Sequence, residues 1–180
     1  RNIIGLGAGF QTENLLLADF DPGGAGYDRN RLNTFYSEAL ERARRLPGVR
    51  AASLSTNMPL SGDDDDTRPL IIPGYAAIKP QDMKIHVNFV STAFFETMRI
   101  PLLKGREFMT SDDDGAAKVA VINETMARTY WPNGEAIGGR VVVGGGGMNV
   151  IDKPTPVVVG IVADERHNGV TGIVKEKFYV

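Results

Sequence analysis

The apolar residues of this 180-residue chain come in short runs, with turn formers between them. The strongest, Val157-Val158-Val159 with Ile161-Val162 beyond Gly160, has the length of a strand rather than a helix. With 21 Gly and 10 Pro, the chain is expected to make many turns and short strands. No stretch approaches the roughly 18 apolar residues of a bilayer span. The opening residues, Arg1-Asn2-Ile3-Ile4-Gly5, lack the apolar core and cleavage site of a signal peptide. Delivery outside the cytoplasm would therefore depend on sequence beyond these residues.

One segment has a different period. Leu32, Phe35, Tyr36, Ala39, Leu40, Ala43 and Leu46 recur at spacings of three and four, the stripe of an amphipathic helix. Asp28 or Asn30 can cap its start, Arg42, Arg44 and Arg45 suit its C-terminal dipole, and Pro47-Gly48 stops it. Leu15 to Asp21 and Val49 to Thr56 read as flanking strands, which makes a β-α-β unit with room for a right-handed parallel crossover. The loop from Met58 to Asp66, rich in turn formers and like charge, is the candidate boundary between sub-domains.

Beyond the loop, Leu70 to Ile72 and Lys84 to Val90 are strand candidates; Ile85, Val87 and Phe89 alternate with His86 and Asn88, which places His86 on an exposed polar face. Ser91 is expected to cap a short helix carrying Phe94, Phe95 and Met98. Ile100 to Arg106 is an apolar segment ended by a turn, Ser111 to Gly115 an acidic loop, and Val119 to Ile122 a fully apolar strand. Asn123 caps a helix running to about Trp131, where Pro132 stops it. Arg140 to Val143 and Pro156 to Val162 complete the strands, with Gly144 to Gly147 a turn between them.

The chemistry is narrowed by what is missing. Zero Cys excludes disulfides, thiolate zinc sites and a Cys nucleophile. Twenty Lys and Arg against 22 Asp and Glu give no basic excess, which argues against a nucleic-acid partner. Gly5-Leu6-Gly7-Ala8-Gly9-Phe10 imitates a dinucleotide fingerprint, but Phe10 stands where the third Gly belongs and too few residues precede it for a strand. Gly144 to Gly147 lacks the Lys-Ser/Thr of a P-loop. Neither Asp63 to Asp66 nor Asp112 to Asp114 has the alternating register of a calcium loop. The two His, His86 and His167, lie far apart and in no H-E-x-x-H helix, and there is no G-x-S-x-G elbow. Trp131 reads as a core residue at a helix end. No catalytic, cofactor or metal residue is assigned, and no partner-binding residue is identified. The rival candidate is the polar loop Asp164-Glu165-Arg166-His167 after the last strong strand, where a soluble hydrolase or small-ligand binder could place its groups.

The ordered set of short motifs is more telling than any one of them. Gly9-Phe10-x-Thr12-x-Asn14-Leu15-Leu16 opens it, then Leu46-Pro47-Gly48-Val49 and Met58-Pro59-Leu60-Ser61-Gly62. Phe94-Phe95-x-Thr97-Met98-x-Ile100-Pro101-Leu102-Leu103-x-Gly105-Arg106-x-Phe108 and Val119-Ala120-Val121-Ile122-Asn123-Glu124-x-Met126-Ala127 follow. Tyr130-Trp131-Pro132, Ile137-Gly138-x-Arg140 and Val158-Val159-Gly160-Ile161-Val162-Ala163-Asp164-x-Arg166-His167-x-Gly169 end it. From Gly9 to Val180 the series resembles the MacB-like periplasmic core domain of ABC transporter permeases of the MacB/FtsX type, nearest to the orphan permeases with duplicated membrane halves.

The resemblance implies an α+β (mixed α/β) fold: a porter-like β-α-β part, residues 10–60, and an inserted α/β lobe of short strands and helices, residues 61–180. The second strand-helix-strand of the porter part would follow the segment Phe178-Tyr179-Val180 and lies outside these residues, so the first β-α-β is expected to expose an apolar edge. It also implies a bacterial inner-membrane protein with this domain on the periplasmic side and no catalytic site or cofactor of its own. ATP would be hydrolysed by a separate cytoplasmic domain or subunit. Implied partners are the rest of the permease and its membrane helices, that ATPase, a periplasmic adaptor and a second copy in a dimer. The implied function is to couple ATP-driven membrane motion to a periplasmic partner or substrate in export, or, in a scaffold variant, to regulate a periplasmic hydrolase.

Overall fold

The longest regular element is the helix whose stripe the sequence announces. In the computed structural model, which describes residues 13–20, 22, 26–57, 67–75, 83–112, 115–144, 155–165 and 174–180, α1 spans Arg29–Arg44. Of the two expected caps, Asp28 serves: its carboxylate accepts from Arg31 N at 2.8 Å. Asn30 lies inside the helix, and its carbonyl accepts from Thr34 Oγ1 at 3.0 Å. Arg42 and Arg44 occupy the last turn, and Gly48 takes the left-handed conformation, φ 86°, just past the end.

The strands expected on either side of α1 do not form among the described residues. Residues 15–20 and 49–54 have no ladder pairing; Ser55 makes a single antiparallel bridge to Val90. The physical reason is the lack of a covering layer. Leu16 is 89% exposed, Leu17 and Phe20 are also exposed, and no α1 residue is buried. At residues 16–20 a strand would have both faces in water, while at 49–54 the backbone bonds go to single partners, Leu54 to Ser91 and the Ala52 carbonyl to Arg44, instead of a ladder.

The rest forms a seven-stranded mixed sheet with two short helices, which confirms the α+β class. β1 is Thr67–Ile71, β2 Lys84–Asn88, β3 Leu102–Gly105, β4 Val119–Asn123, β5 Val142–Val143, β6 Val157–Val162 and β7 Lys177–Tyr179. α2 is Phe94–Met98 and α3 is Glu124–Tyr130. The order across the sheet is β3-β6-β4-β7-β2-β1-β5. β4 is apolar on both faces and accordingly interior, parallel to β6 and antiparallel to β7. Successive strand residues point to opposite faces, so Ile122 and Phe178 join Met126 of α3 in one apolar cluster. Val121 and Tyr179 join Phe94, Phe95 and Met98 of α2 in the other. Trp131 packs half-buried against the α3 cluster, as the core reading expects.

Three local expectations are corrected. Ser91 does not cap α2, whose N-cap is Ala93 at φ 64° with no side-chain bond; Ser91 Oγ instead accepts from Leu54 N at 2.8 Å. The alternation of β2 fails at its end: Asn88 is buried and Phe89 exposed. Asn88 Oδ1 accepts from Ser55 Oγ, Thr56 Oγ1 and Asn57 N, which satisfies it inside, while Phe89 lies under the Arg68 guanidinium, 5.0 Å away. His86, expected in the open, is half-buried between β1 and β7.

Register along β6 shifts between Ala120 and Val121 of β4, where Val159 is skipped. The freed Val159 carbonyl accepts from Arg106 N at 2.9 Å. A Cβ at Gly160 would collide with the Arg106 carbonyl oxygen, so glycine is required for this close crossing.

Candidate functional site

Polar chemistry concentrates where β4 and β6 end, on the segment Ala163 to Glu165 and the start of α3. Asn123 closes β4 and caps α3, as its position before the helical run predicts: its Oδ1 accepts from Met126 N at 3.0 Å. The structure gives it three further bonds. Oδ1 also accepts from Lys177 N at 2.9 Å, and Nδ2 donates to Asp164 Oδ1 at 2.7 Å and to the Lys175 carbonyl at 2.9 Å. Both donors and both acceptor positions of this fully buried amide are thus used.

Asp164 faces the same helix start. Its Oδ1 accepts from Thr125 N at 2.9 Å and its Oδ2 from Thr125 Oγ1 at 2.7 Å, with Arg128 Nη2 at 3.5 Å. The carboxylate therefore acts as a second cap and meets the positive end of the helix. Glu165 turns inward. Its side chain is 2% exposed and its Oε1 accepts from Lys177 Nζ at 2.7 Å and Tyr179 OH at 2.8 Å. Its Oε2 has no hydrogen-bond partner among the described residues. Burial first, then the Glu165 charge and hydrogen bond, hold the Tyr179 phenol well above its ordinary pKa. Tyr179 is therefore a neutral donor to Glu165.

These two carboxylates are the part of the rival loop that is described, and both are tied into the fold. Arg166 and His167 lie outside the described residues, as do Gly5 to Phe10, Asp63 to Asp66, Asp113, Asp114 and Gly145 to Gly147. Asp112 forms a two-pronged pair with Arg106, Nη1 to Oδ2 at 2.7 Å and Nη2 to Oδ1 at 2.8 Å. The hydrogen bond from Arg106, opposed by partial burial, holds the Asp112 carboxyl below its usual range. Gly144 donates to the Pro69 carbonyl at 2.7 Å, a strand-end contact rather than a phosphate cradle. Among the described residues no three His, Asp or Glu side chains gather as a metal site.

Sequence reasoning missed Lys177 and Tyr179 altogether and weighed Glu165 only as part of a surface loop. A Lys two residues before a Tyr on an apolar strand was the available signal, since such a pair points to one side and needs an acceptor there.

The fold and this arrangement can be set beside known proteins. The family described as the MacB-like periplasmic core domain matches residues 3–180. The chain belongs to that family. The solved structures similar to this MacB-like domain include the periplasmic region of MacB from Actinobacillus actinomycetemcomitans, with a TM-score of 0.54 at 14% identity. That match covers 79% of this chain and 53% of the other. The extracellular domain of the noncanonic ABC-type transporter YknZ from Gram-positive bacteria matches with a TM-score of 0.52 at 15% identity. It covers 79% of this chain and 60% of that one. The MacB-like domain here thus spans little more than half the length of either solved relative. No curated protein matches it. Among the described residues no helix is long and apolar enough to cross a membrane.

Proposed function

We propose that this MacB-like domain is a non-catalytic, extracytoplasmic part of an ABC transporter permease of the inner membrane, and that it couples ATP-driven membrane motion to a periplasmic partner or substrate in export. The observation that carries the reading is the family match across nearly the whole chain. The state of the polar groups supports it. Among the described residues, Asn123, Asp164 and Asp112 are engaged in caps and pairs within the fold.

In this reading residues 10–60 are the porter-like part and residues 61–180 the inserted lobe. The half-exposed stripe of α1, with Phe20, Tyr27 and Leu46 exposed beside it, is then the face closed by the second strand-helix-strand of the porter part. ATP hydrolysis belongs to a separate domain or subunit. The remaining partners are the membrane helices, a periplasmic adaptor and a second copy in the transporter.

The test is direct. The gene region encoding these residues should carry apolar spans of about 20 residues on both sides. Cysteine pairs placed on α1 and in the completed porter part should crosslink in membranes, and ATP should change their yield. A parent protein with no apolar span on either side overturns the reading, and so does crosslinking that ignores ATP.

A further inference from the structure

β7 is three residues long, yet among the described residues it is the strand at which the two halves of the sheet meet. β4, β6 and β3 lie on one side of it and β2, β1 and β5 on the other. Apart from it, the halves share one apolar cluster, and the stretch 138–143 links their backbones, bonded to β6 at one end and paired with β1 at the other. The backbone ladder of so short a strand is small, two residue pairs with β4 and three with β2, so its side chains must set its register.

We infer that Glu165 is the register lock of β7, a positioning residue that accepts the strand in one alignment and thereby holds the two half-sheets together. Among the described residues its Oε1 takes hydrogen bonds from Lys177 Nζ and Tyr179 OH, and its Oε2 takes none. Among the described residues the carboxylate is thus held by β7 alone. Lys177 and Tyr179 are two apart and share a face of the strand, while Phe178 points the other way into the α3 cluster. A slip by one residue brings Phe178, which has nothing to donate, against the carboxylate. The same slip drives the Lys177 ammonium and the Tyr179 hydroxyl into the apolar cluster of Ile122 and Met126.

The burial of the pair points to the same role. Lys177 and Glu165 side chains are 7% and 2% exposed, and a buried ion pair is a poor source of net stability because desolvation offsets its attraction. Fixing register is the best-attested use of such a pair. The remaining polar contacts of the strand, Lys177 N to Asn123 Oδ1 and Val180 N to the Asn88 carbonyl, hold it at its ends once it is aligned. This inference stands apart from the transport reading and does not need it.

Amide hydrogen exchange and cross-strand NOEs on the 180-residue chain test the lock. Glu165→Gln should raise exchange at Phe178, Tyr179, Val180 and their neighbour Val90 about 100-fold or more, and at Ile122 and Val158 less than tenfold. The double change Glu165→Leu with Lys177→Met leaves no buried charge and should fold, with β4 and β6 protected as in the parent. Its β7 should show more than one set of signals and weakened NOEs between Ile122 and Phe178. If Glu165→Gln does not fold, the double variant decides. Exchange in Glu165→Gln that rises evenly across the sheet overturns the lock. A double variant with one β7 signal set and parental NOEs overturns it equally.

Discussion

Replacing Asn123 by alanine should destabilise the fold by about 3 kcal/mol or more, a loss far larger than that of an ordinary helix cap. The side-chain amide is fully buried and makes four hydrogen bonds. Truncation strands two buried groups, Met126 N at the start of α3 and Lys177 N at the start of β7; the Lys175 carbonyl belongs to an exposed residue and loses less. Asp164 Oδ1 keeps the Thr125 amide and loses less. Each buried group left without a partner costs about 1–3 kcal/mol, so the two set a total of about 3 kcal/mol. A chain of this size loses about 2–4 °C of melting temperature per kcal/mol, so a fall of roughly 6–12 °C is expected. Urea unfolding followed by tryptophan fluorescence measures it, because Trp131 directly follows α3, the helix that Asn123 caps. Asn123→Asp sharpens the test. It keeps both acceptors but sets a second carboxylate against Asp164, so the variant should be weak at neutral pH and regain stability as acid protonates the pair. A loss below about 1 kcal/mol for Asn123→Ala would refute the reasoning, since the four bonds would then contribute no more than a single exposed cap.

Three further outcomes are expected. Gly160→Ala should destabilise by about 2 kcal/mol or more, because its Cβ meets the Arg106 carbonyl oxygen and must push β3 from β6; denaturant unfolding at parental stability would count against the close crossing. Asp112 has its carboxyl held below the ordinary 3.8, chiefly by the Arg106 hydrogen bond, so its contribution is full above that value and lost as pH falls through the lowered one. Asp112→Asn should therefore flatten that part of the acid unfolding profile. Glu107 is shifted the other way, raised from 4.5 by burial and then by the Glu96 charge. Its penalty is full at neutral pH and relieved as pH falls through the raised value toward 4.5, so Glu107→Gln should be the more stable protein at pH 7 and show no such gain in acid.

Where a residue's surroundings are set by its near neighbours in the chain, the sequence was readable. The apolar run before Asn123, the polar cap and the proline after Trp131 placed β4 and α3 almost to the residue. The three-and-four spacing and Pro47-Gly48 placed α1, which ends two residues before Leu46. Ser91 misled because a hydroxyl before a short helix can bond the helix or a distant strand, and here the Leu54 amide 37 positions away claims it. Asn88 misled because alternation describes which face a side chain points to, not what waits there. Three donors from residues 55–57 make a buried amide acceptable.

By itself, then, the sequence determined the class of fold, the positions of α1, β4, α3 and β6, and, through ordered turn motifs, the family. Those signals are local: periodicity, caps, and the glycines and prolines that only certain backbones tolerate. The tertiary structure decided the rest. It put a three-residue strand between two half-sheets, turned Glu165 from a loop residue into the buried partner of Lys177 and Tyr179, and left the flanks of α1 without a layer to pair with. Each depends on contacts between residues distant in the chain, and a carboxylate has no stated role until the fold decides what stands across from it.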